Sequence, residues 1–538
     1  MKVAMQAILG LGLFIYGMTL MGEGLQKAAG KKLKAIVGAL TKSTFRGVLV
    51  GAFVTMLIQS SGATTVMVIG FVNAKIMTLT QAVGVIMGAN IGTTATGFII
   101  ALNLGQYAPL VIGIGTVFYV IGKKRSAKSI GQAILGFGLI FLGIMTMEQG
   151  LKPLGTNPIF TKFMADLSSP ILGLIVGVVA TTALQSSSAA IGIMQALGMQ
   201  GLISLGAAFP ILLGTNIGST TTAVLSSFGA QKTAKRAALV HFLFNLIGSL
   251  IFLLLFSLFK GTFIPFMTSH FTYLPTQIAM SHLGFNLINT AIFLPFTKVL
   301  VRITETLIPG GEDDEAVSIY LDERILTTPA IALGQAVKET ERMAEMVSLS
   351  LDEAEDLILL EKFSVYDSLM DRERLINRME REITDYLVKL SQASLSQTEH
   401  KDVDDLLYVI NDIERIGDHI KNIVELSEDM EEEQIKIPEQ GIEELREMFT
   451  KCKEAFHKAV DAFLLNDMEL ANEVVSIEDM VDIMEEEYRA NHIRRLANKY
   501  CDAPPGIIFL DCISNLERVS DHSDNIAHYV LRRNALED

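Results

Sequence analysis

Nine stretches within the first 300 residues carry no Asp, Glu, Lys or Arg: 4–22, 47–72, 76–101, 107–122, 130–147, 171–199, 201–228, 237–259 and 278–297. Uncharged runs of this length match a bilayer core of ~30 Å at ~1.5 Å per helical residue, so they predict membrane helices. The first run is not a cleaved signal peptide, because only Lys2 precedes it while Lys27, Lys31, Lys32 and Lys34 follow, the reverse of a signal's charge order. Pro309-Gly310-Gly311-Glu312-Asp313-Asp314-Glu315 then reads as a turn and linker. Beyond it the pattern changes to long, charged amphipathic helices, with apolar residues at three- and four-residue steps in Val403, Leu406, Leu407, Ile410, Ile413 and Ile416.

The apolar half repeats itself. A shift of 126 residues aligns Gly10-Leu11-Gly12-Leu13 with Gly136-Phe137-Gly138-Leu139, Gly17 with Gly143, and Gly24 with Gly150. The same shift, without a gap, places Gln59-Ser60-Ser61 on Gln185-Ser186-Ser187 and Asn90-Ile91-Gly92-Thr93-Thr94 on Asn216-Ile217-Gly218-Ser219-Thr220. Two such sets in register define an internal repeat. Basic residues accumulate on cytoplasmic loops, and they are unequally divided between the copies. Loop 23–46 carries Lys27, Lys31, Lys32, Lys34, Lys42 and Arg46, whereas its equivalent 148–170 carries only Lys152 and Lys162. The two repeats are therefore expected to be inverted. With 47–72 and 171–199 entering and leaving on one face as hairpins, the charge pattern gives seven crossings, an outside N-terminus and a cytoplasmic C-terminal part.

Charge sharpens the division. Residues 1–309 hold four acids and 20 Lys plus Arg, net +16, and the remainder holds 55 acids and 24 basic residues, net -31. One soluble globular domain is excluded, and the acidic half is unsuited to nucleic acid. Cys452, Cys501 and Cys512 all lie in that half without CxxC spacing, as reduced cytosolic thiols do.

The polar repeats carry the candidate chemistry. Gln59, Ser60, Ser61, Gly62 and Thr64 fall in the middle of an apolar run, where irregular backbone is tolerated only against protein or a polar cavity. Gly62, Asn90 with Gly92, Ser188, and Asn216 with Gly218 are expected points of helix interruption, giving four broken segments near the midplane, as in secondary transporters. No acid lies within these segments, which leaves an amine substrate or a carboxylate proton relay without a partner. Helix N-termini, hydroxyls and amides suit a small oxyanion, and hard neutral oxygens suit an alkali cation such as sodium. The carbonyls of Gln59 and Gln185 could accept the proton of hydrogen phosphate, which sulfate lacks. His241 and His282 read as hydrogen-bonded interior histidines outside the site.

The acidic half has its own repeat. At a shift of 103, Glu414-Arg415-Ile416-Gly417-Asp418-His419 with Asn422-Ile423 matches Glu517-Arg518-Val519-Ser520-Asp521-His522 with Asn525-Ile526. This predicts two three-helix bundles, 329–432 and 433–538. Glu414, Asp418, Glu517 and Asp521 would come together if the bundles pack face to face, either as ligands of an iron, zinc or magnesium cluster or as a solvated face paired with Arg415 and Arg518.

Paired QSS[GS] segments, each followed by NIG[ST]T, resemble the bacterial sodium-dependent phosphate cotransporters related to the animal type II family, over about residues 1 to 305. The resemblance implies sodium-driven phosphate uptake, with Gln59, Ser60, Ser61, Thr64, Asn90, Thr93, Thr94, Gln185, Ser186, Ser187, Ser188, Asn216, Ser219 and Thr220 lining the phosphate and sodium site. Gly62 departs from it where the second repeat has Ser188. The ERxGDH signature resembles PhoU, the phosphate-regulatory protein, over roughly 329 to 538, which implies metal ligation by Glu414, Asp418, Glu517 and Asp521.

The expected fold is all-α: a polytopic membrane protein of two inverted-topology repeats (about 4–128 and 130–300, within a transport domain 1–309) with re-entrant hairpins, a linker 310–328 and a cytoplasmic pair of three-helix bundles. The expected function is sodium:phosphate symport in the bacterial inner membrane, against the alternatives of a membrane-anchored phosphate sensor or a phosphate exporter. With no nucleophile–base pair or P-loop, no enzyme activity is expected. Expected partners are inorganic phosphate, sodium as co-substrate, the lipid bilayer, a second copy in a homodimer and phosphate-signalling proteins, with no nucleic acid.

Overall fold

The computed structural model describes residues 2–29, 43–74, 76–167, 169–310, 319–393 and 395–534. Among them all regular structure is helical, in agreement with the all-α expectation. Lys31, Lys32, Lys34, Lys42 and Lys75 of the charge argument, and Gly311 to Glu315 of the linker, lie outside the described residues. The chain divides into two compact units, Met1–Asp314 and Glu315–Asp538.

The first unit contains α1 (Lys2–Ala29), α2 (Thr44–Ile58), α3 (Ser61–Asn73), α4 (Leu79–Ala101), α5 (Ala108–Ile121), α6 (Arg125–Leu151), α7 (Pro158–Asp166), α8 (Pro170–Leu184), α9 (Ser187–Met199), α10 (Leu205–Gly218), α11 (Thr220–Ser226), α12 (Lys232–His270), α13 (Leu274–Phe293) and α14 (Thr297–Leu307). Among the described residues, five segments are long and apolar enough to cross a membrane: Met5–Ala28, Leu79–Ala101, Ser126–Thr156, Lys232–His270 and Leu274–Leu307.

The 126-residue shift persists in the backbone, since α2, α3 and α4 begin at 44, 61 and 79 while α8, α9 and α10 begin at 170, 187 and 205. Glycines set how these helices pack. A Cβ on Gly10 would stand 2.7 Å from the Gly143 carbonyl, one on Gly17 2.8 Å from Gly136, and one on Gly24 2.7 Å from Ser129. Partner numbers fall as the first numbers rise, so α1 and α6 run antiparallel. The contact is also reciprocal, because Gly143 meets the Gly10 carbonyl and Gly136 that of Gly17. Repeat-equivalent helices thus meet about a local two-fold axis.

Within each repeat the geometry is different. A Cβ would approach a carbonyl at 2.2 Å for Gly84 and Thr44, 2.0 Å for Gly88 and Val48, and 2.4 Å for Gly92 and Ala52. Every pair is 40 residues apart, so α2 and α4 lie parallel and in register. In the second repeat Gly214 meets Leu174 at 2.1 Å and Gly218 meets Val178 at 2.7 Å, which makes α8 and α10 parallel as well. Because α3 connects the end of α2 to the start of α4, it must run back alongside α2, and α9 must do the same beside α8. Each pair is a helical hairpin whose tip carries the Gln-Ser sequence.

The expected interruption at Asn90 and Gly92 is not present. Helix α4 continues through both residues, while the equivalent segment breaks only at Ser219, between α10 and α11. Gly88 and Gly92 are spent on close approach to α2, and the Asn90 amide donates to its own helix at the Ile86 carbonyl (3.2 Å), so nothing there opens the helix.

The second unit holds α15 (Pro329–Leu360), α16 (Tyr366–Ser391), α17 (Gln397–Glu432), α18 (Glu439–Leu465), α19 (Met468–Ala497) and α20 (Ala503–Asn534), two successive helical triplets. A capping box of Ser396 and Glu399 starts α17, and its apolar stripe of Val403, Leu406, Ile410, Ile413 and Ile416 is buried. Residues 319–328, expected as linker, are partly docked, for the Ile319 and Tyr320 N–H groups donate to buried Glu339 at 2.9 and 2.6 Å. The halves join reciprocally. His419 Nδ1 lies 3.0 Å from Asn515 Oδ1 and His522 Nδ1 2.9 Å from Asp412 Oδ1, positions exchanged by the 103-residue shift.

Candidate functional site

Helix α2 stops because Gln59 adopts φ 59°, ψ 22°, and α8 stops because Gln185 adopts φ 54°, ψ 22°. This left-handed conformation costs a non-glycine residue about 1–3 kcal/mol and persists only where surroundings hold it. Each glutamine is held twice. The Gln59 amide donates to the Met56 carbonyl, one of the unpaired carbonyls ending α2, and its Oε1 accepts from Thr96 Oγ1 at 3.0 Å. The Gln185 amide donates to the Thr182 carbonyl at 2.9 Å, and its Oε1 accepts from Thr222 Oγ1 at 3.2 Å. Since Thr222 is Thr96 shifted by 126, the two tips are built alike. Each carbonyl has two lone pairs, so one remains for a ligand.

The serines divide into two roles. Ser60 and Ser186 are N-caps, whose hydroxyls accept from the N–H groups of Ala63 and Ala189, both at 3.1 Å. They therefore shape the tip. Beyond them, helix geometry leaves the N–H groups of Ser61 and Gly62, and of Ser187 and Ser188, without intrahelical partners, at the positive ends of α3 and α9. Thr64 is fully buried and ties the hairpin arms together, accepting from Thr55 Oγ1 and donating to the Ser60 carbonyl, both at 3.0 Å.

The repeats converge at the tips. Ser188 Oγ lies 3.4 Å from Thr96 Oγ1, so Thr96 touches the tips of both hairpins. The mirrored contact falls between Gly62 and Thr222, where a Cβ on Gly62 would stand 3.7 Å from Thr222 Oγ1. Four further hydroxyls spend their protons on their own helices. Thr93 donates to Ala89, Thr94 to Ile91, Ser219 to Asn216 and Thr220 to Ile217, at 2.9, 2.7, 2.7 and 2.7 Å. A hydroxyl so committed presents only lone pairs, which suits a hard cation.

Sequence reasoning missed Thr96 and Thr222, although the 126-residue shift aligns them. It also set aside His282, whose Nε2 stands 3.4 Å from Asn216 Oδ1, while His241 has no hydrogen-bond partner among the described residues. A second alignment would have drawn attention to both, because His241-Phe-Leu-Phe-Asn245-Leu-Ile matches His282-Leu-Gly-Phe-Asn286-Leu-Ile at a shift of 41.

The four carboxylates expected to meet in the second unit do not share one cluster of neighbours. Glu414 is raised in pKa by burial first, then by Asp418, against Arg415, with Glu380 and Glu373 adding smaller effects. Arg415 lies 3.9 Å from Glu414 and 3.8 Å from Asp418, and Lys421 lies 3.5 Å from Glu373, so cations of the chain already serve this group. In the other half, Glu478, Asp482 and Asp521 bring carboxylate oxygens within 4.8 Å of one another. Burial, then Asp482, Asp524, Asp521 and Asp479, push Glu478 up to about 7. Glu517 is raised by burial and then by Asp521 and Asp482. Glu478 and Asp482 on α19 were absent from the expected set because three-helix packing, rather than i to i+4 spacing, brings them to Asp521.

Residues 13–149 and 143–258 match the Na+/Pi-cotransporter family, and residues 340–427 and 445–530 match the PhoU domain. The chain belongs to the Na+/Pi-cotransporter family, a phosphate-transport family, and carries a PhoU-type regulatory domain. It is 24% identical over 545 residues to the "Putative inorganic phosphate export protein YjbB" of Escherichia coli K12, covering 99% of this chain and 98% of that protein. It is 30% identical over 309 residues to the "Uncharacterized protein YqeW" of Bacillus subtilis, covering 55% of this chain and 95% of the relative. Over 134 residues it is 34% identical to the human "Sodium-dependent phosphate transport protein 2C", covering 23% of this chain and 22% of the relative. Members of this family are transporters rather than enzymes, and the apolar helices make this a membrane protein.

Proposed function

We propose that residues 1–309 carry inorganic phosphate together with sodium across the plasma membrane by alternating access of two inverted repeats, and that residues 329–538 tune this transport. The observation that carries the proposal is the meeting of the two hairpin tips, Gln59 on Thr96 and Gln185 on Thr222, with Ser188 against Thr96. Four free N–H groups at two helix N-termini offer an oxyanion roughly half a positive charge per helix. Hydrogen phosphate remains about one charge short, and the acceptor-only oxygens of Thr93, Thr94, Ser219 and Thr220 supply hard ligands for the sodium that closes the gap. The human relative's name supports the choice of sodium.

Antiparallel packing of the equivalent helices α1 and α6 supports inversion, and the parallel register of α2 with α4 supports re-entrant hairpins. Seven crossings follow if Gly105–Ile121 and the broken pair α10–α11 span the bilayer beside the five long segments. The charge pattern sets the N-terminus outside and the PhoU-like domain in the cytoplasm. In that domain, Glu478, Asp482 and Asp521, with Glu517 beside them, form the better divalent-cation site, since the carboxylate oxygens of the first three lie within 4.8 Å of one another.

A phosphate exporter is the second reading, favoured by the name of the full-length Escherichia coli relative. The core is the same and the direction of net flux separates the two. The test of the site is Gln59→Ala and Gln185→Ala, each expected to abolish phosphate flux while leaving folded protein in the membrane. Unchanged flux in both would remove the tips from the site.

A further inference from the structure

The last carbonyls of α14 have no partner within the helix, and the chain leaves the first unit just beyond them. Arg236, one turn into α12, binds carbonyls of the chain just past that helix end. Its Nε and Nη2 donate to the Ile308 carbonyl at 3.1 and 2.9 Å, and Nη2 also donates to the Gly310 carbonyl at 2.7 Å. The planar guanidinium fork spans two carbonyls at once, which a lysine ammonium cannot reproduce. Gly310 itself has φ +112°, a conformation reserved for glycine, and a Cβ there would press on Lys232 Nζ at 3.0 Å. The chain at Ile308 to Gly310 is therefore fastened to the first turns of α12.

The same end of α12 holds the first hairpin. The Gln231 N–H, immediately before the helix, donates to Asn73 Oδ1 at 2.9 Å, and Asn73 is the last residue of α3. Helix α12 also packs against both α3 and α11, the segments that carry Ser61, Gly62 and Thr222. Two sets of hydrogen bonds, Ile308 and Gly310 with Arg236 and Asn73 with Gln231, thus meet at the start of α12.

We propose that Arg236 is a latch through which the second unit acts on the first hairpin. The proposal rests on the transport reading above and names the route of its regulation. Displacement of the chain at Ile308 to Gly310 moves the start of α12, and Asn73 passes that movement to the arm ending in the Gln59 tip. Arg236 touches neither phosphate nor sodium in this scheme, so it positions the hairpin and does not bind cargo.

The test is a four-way comparison of inorganic phosphate uptake in proteoliposomes: the full chain and a chain ending at Gly310, each with Arg236 or Arg236→Ala. The Bacillus subtilis relative is matched over 95% of its own length by 55% of this chain, so a protein of about the shorter length exists. The expected result is that deleting residues 311–538 changes uptake in the wild type, that Arg236→Ala shrinks the change to about one-fold, and that Arg236→Ala leaves the short chain at its own wild-type rate. Asn73→Ala should shrink the change likewise, and Arg236→Lys should do so in part. An undiminished deletion effect, no deletion effect in the wild type, or equal loss of uptake in both chains overturns the latch.

If no chain moves phosphate, the transport reading has failed, and hydrogen exchange on the full chain judges the latch by itself. Arg236→Ala should then accelerate amide exchange in residues 61–73 as well as in 232–240. Acceleration confined to 232–240 and 304–310 overturns the latch.

Discussion

Gly88→Ala offers a direct test of the parallel helix pair that positions the first tip. The added Cβ would stand 2.0 Å from the Val48 carbonyl oxygen, whereas ordinary contact begins at 3.4 Å, so α2 and α4 must part by about 1.4 Å. That carbonyl is backbone and cannot rotate away. Overpacking of this kind costs about 1–3 kcal/mol, and the upper end applies here, which outweighs the gain of roughly 1 kcal/mol from replacing a helical glycine by alanine. Gln59, capping α2, and Thr96 on α4 are 3.0 Å apart, and if the full separation reaches them the distance becomes about 4.4 Å, beyond hydrogen bonding. The comparison is Gly12→Ala, where nothing lies within 4 Å of the added methyl. Melting midpoints of detergent-purified protein and phosphate flux in proteoliposomes should both fall for Gly88→Ala and hold for Gly12→Ala. A Gly88→Ala protein as stable and as active as Gly12→Ala would refute the close packing and the transmission to the tip together.

Two further outcomes follow from the site geometry. Thr96→Val keeps the side-chain volume but removes the hydroxyl that serves both tips, whereas Thr222→Val removes one serving a single tip, so flux should fall further for Thr96→Val; equal flux in the two would contradict the shared role of Thr96. In the second unit, Glu478 holds a proton in the folded chain up to about pH 7 that the unfolded chain releases near its ordinary 4.5, so the folded state binds more protons and stability declines as pH rises across that window. Its melting midpoint should drop between pH 5 and 8, Glu478→Gln should flatten the slope, and added Mn2+ or Mg2+ should restore stability at the higher pH by holding the carboxylates ionised; an unchanged slope in Glu478→Gln would place the titration elsewhere.

Much of the architecture is legible in the residues because it is periodic. Uncharged runs mark the apolar segments, and the ungapped 126-residue shift reappears as matching helix starts and matching left-handed glutamines. What stayed hidden depends on contacts between distant segments. Asn90 and Gly92 look like a break in sequence, yet Gly92 serves approach to Ala52 and the helix continues. Ser60 and Ser186 look like ligands alone, but a serine after a left-handed residue also caps the next helix, its oxygen accepting an N–H bond while its own O–H remains to donate. Thr96 gains its role from Gln59 and Ser188, 37 and 92 residues away, and no local pattern marks it. The i to i+4 carboxylates were visible, but their third and fourth neighbours come from another helix and differ between the halves.

Phosphate accumulation in proteoliposomes under an inward sodium gradient, set against an equal potassium gradient, tests the central claim most directly. Uptake of labelled phosphate that depends on sodium and disappears in Gln59→Ala is the predicted result. Equal phosphate movement under both gradients, or none while phosphate still binds, would contradict sodium-coupled transport by this chain.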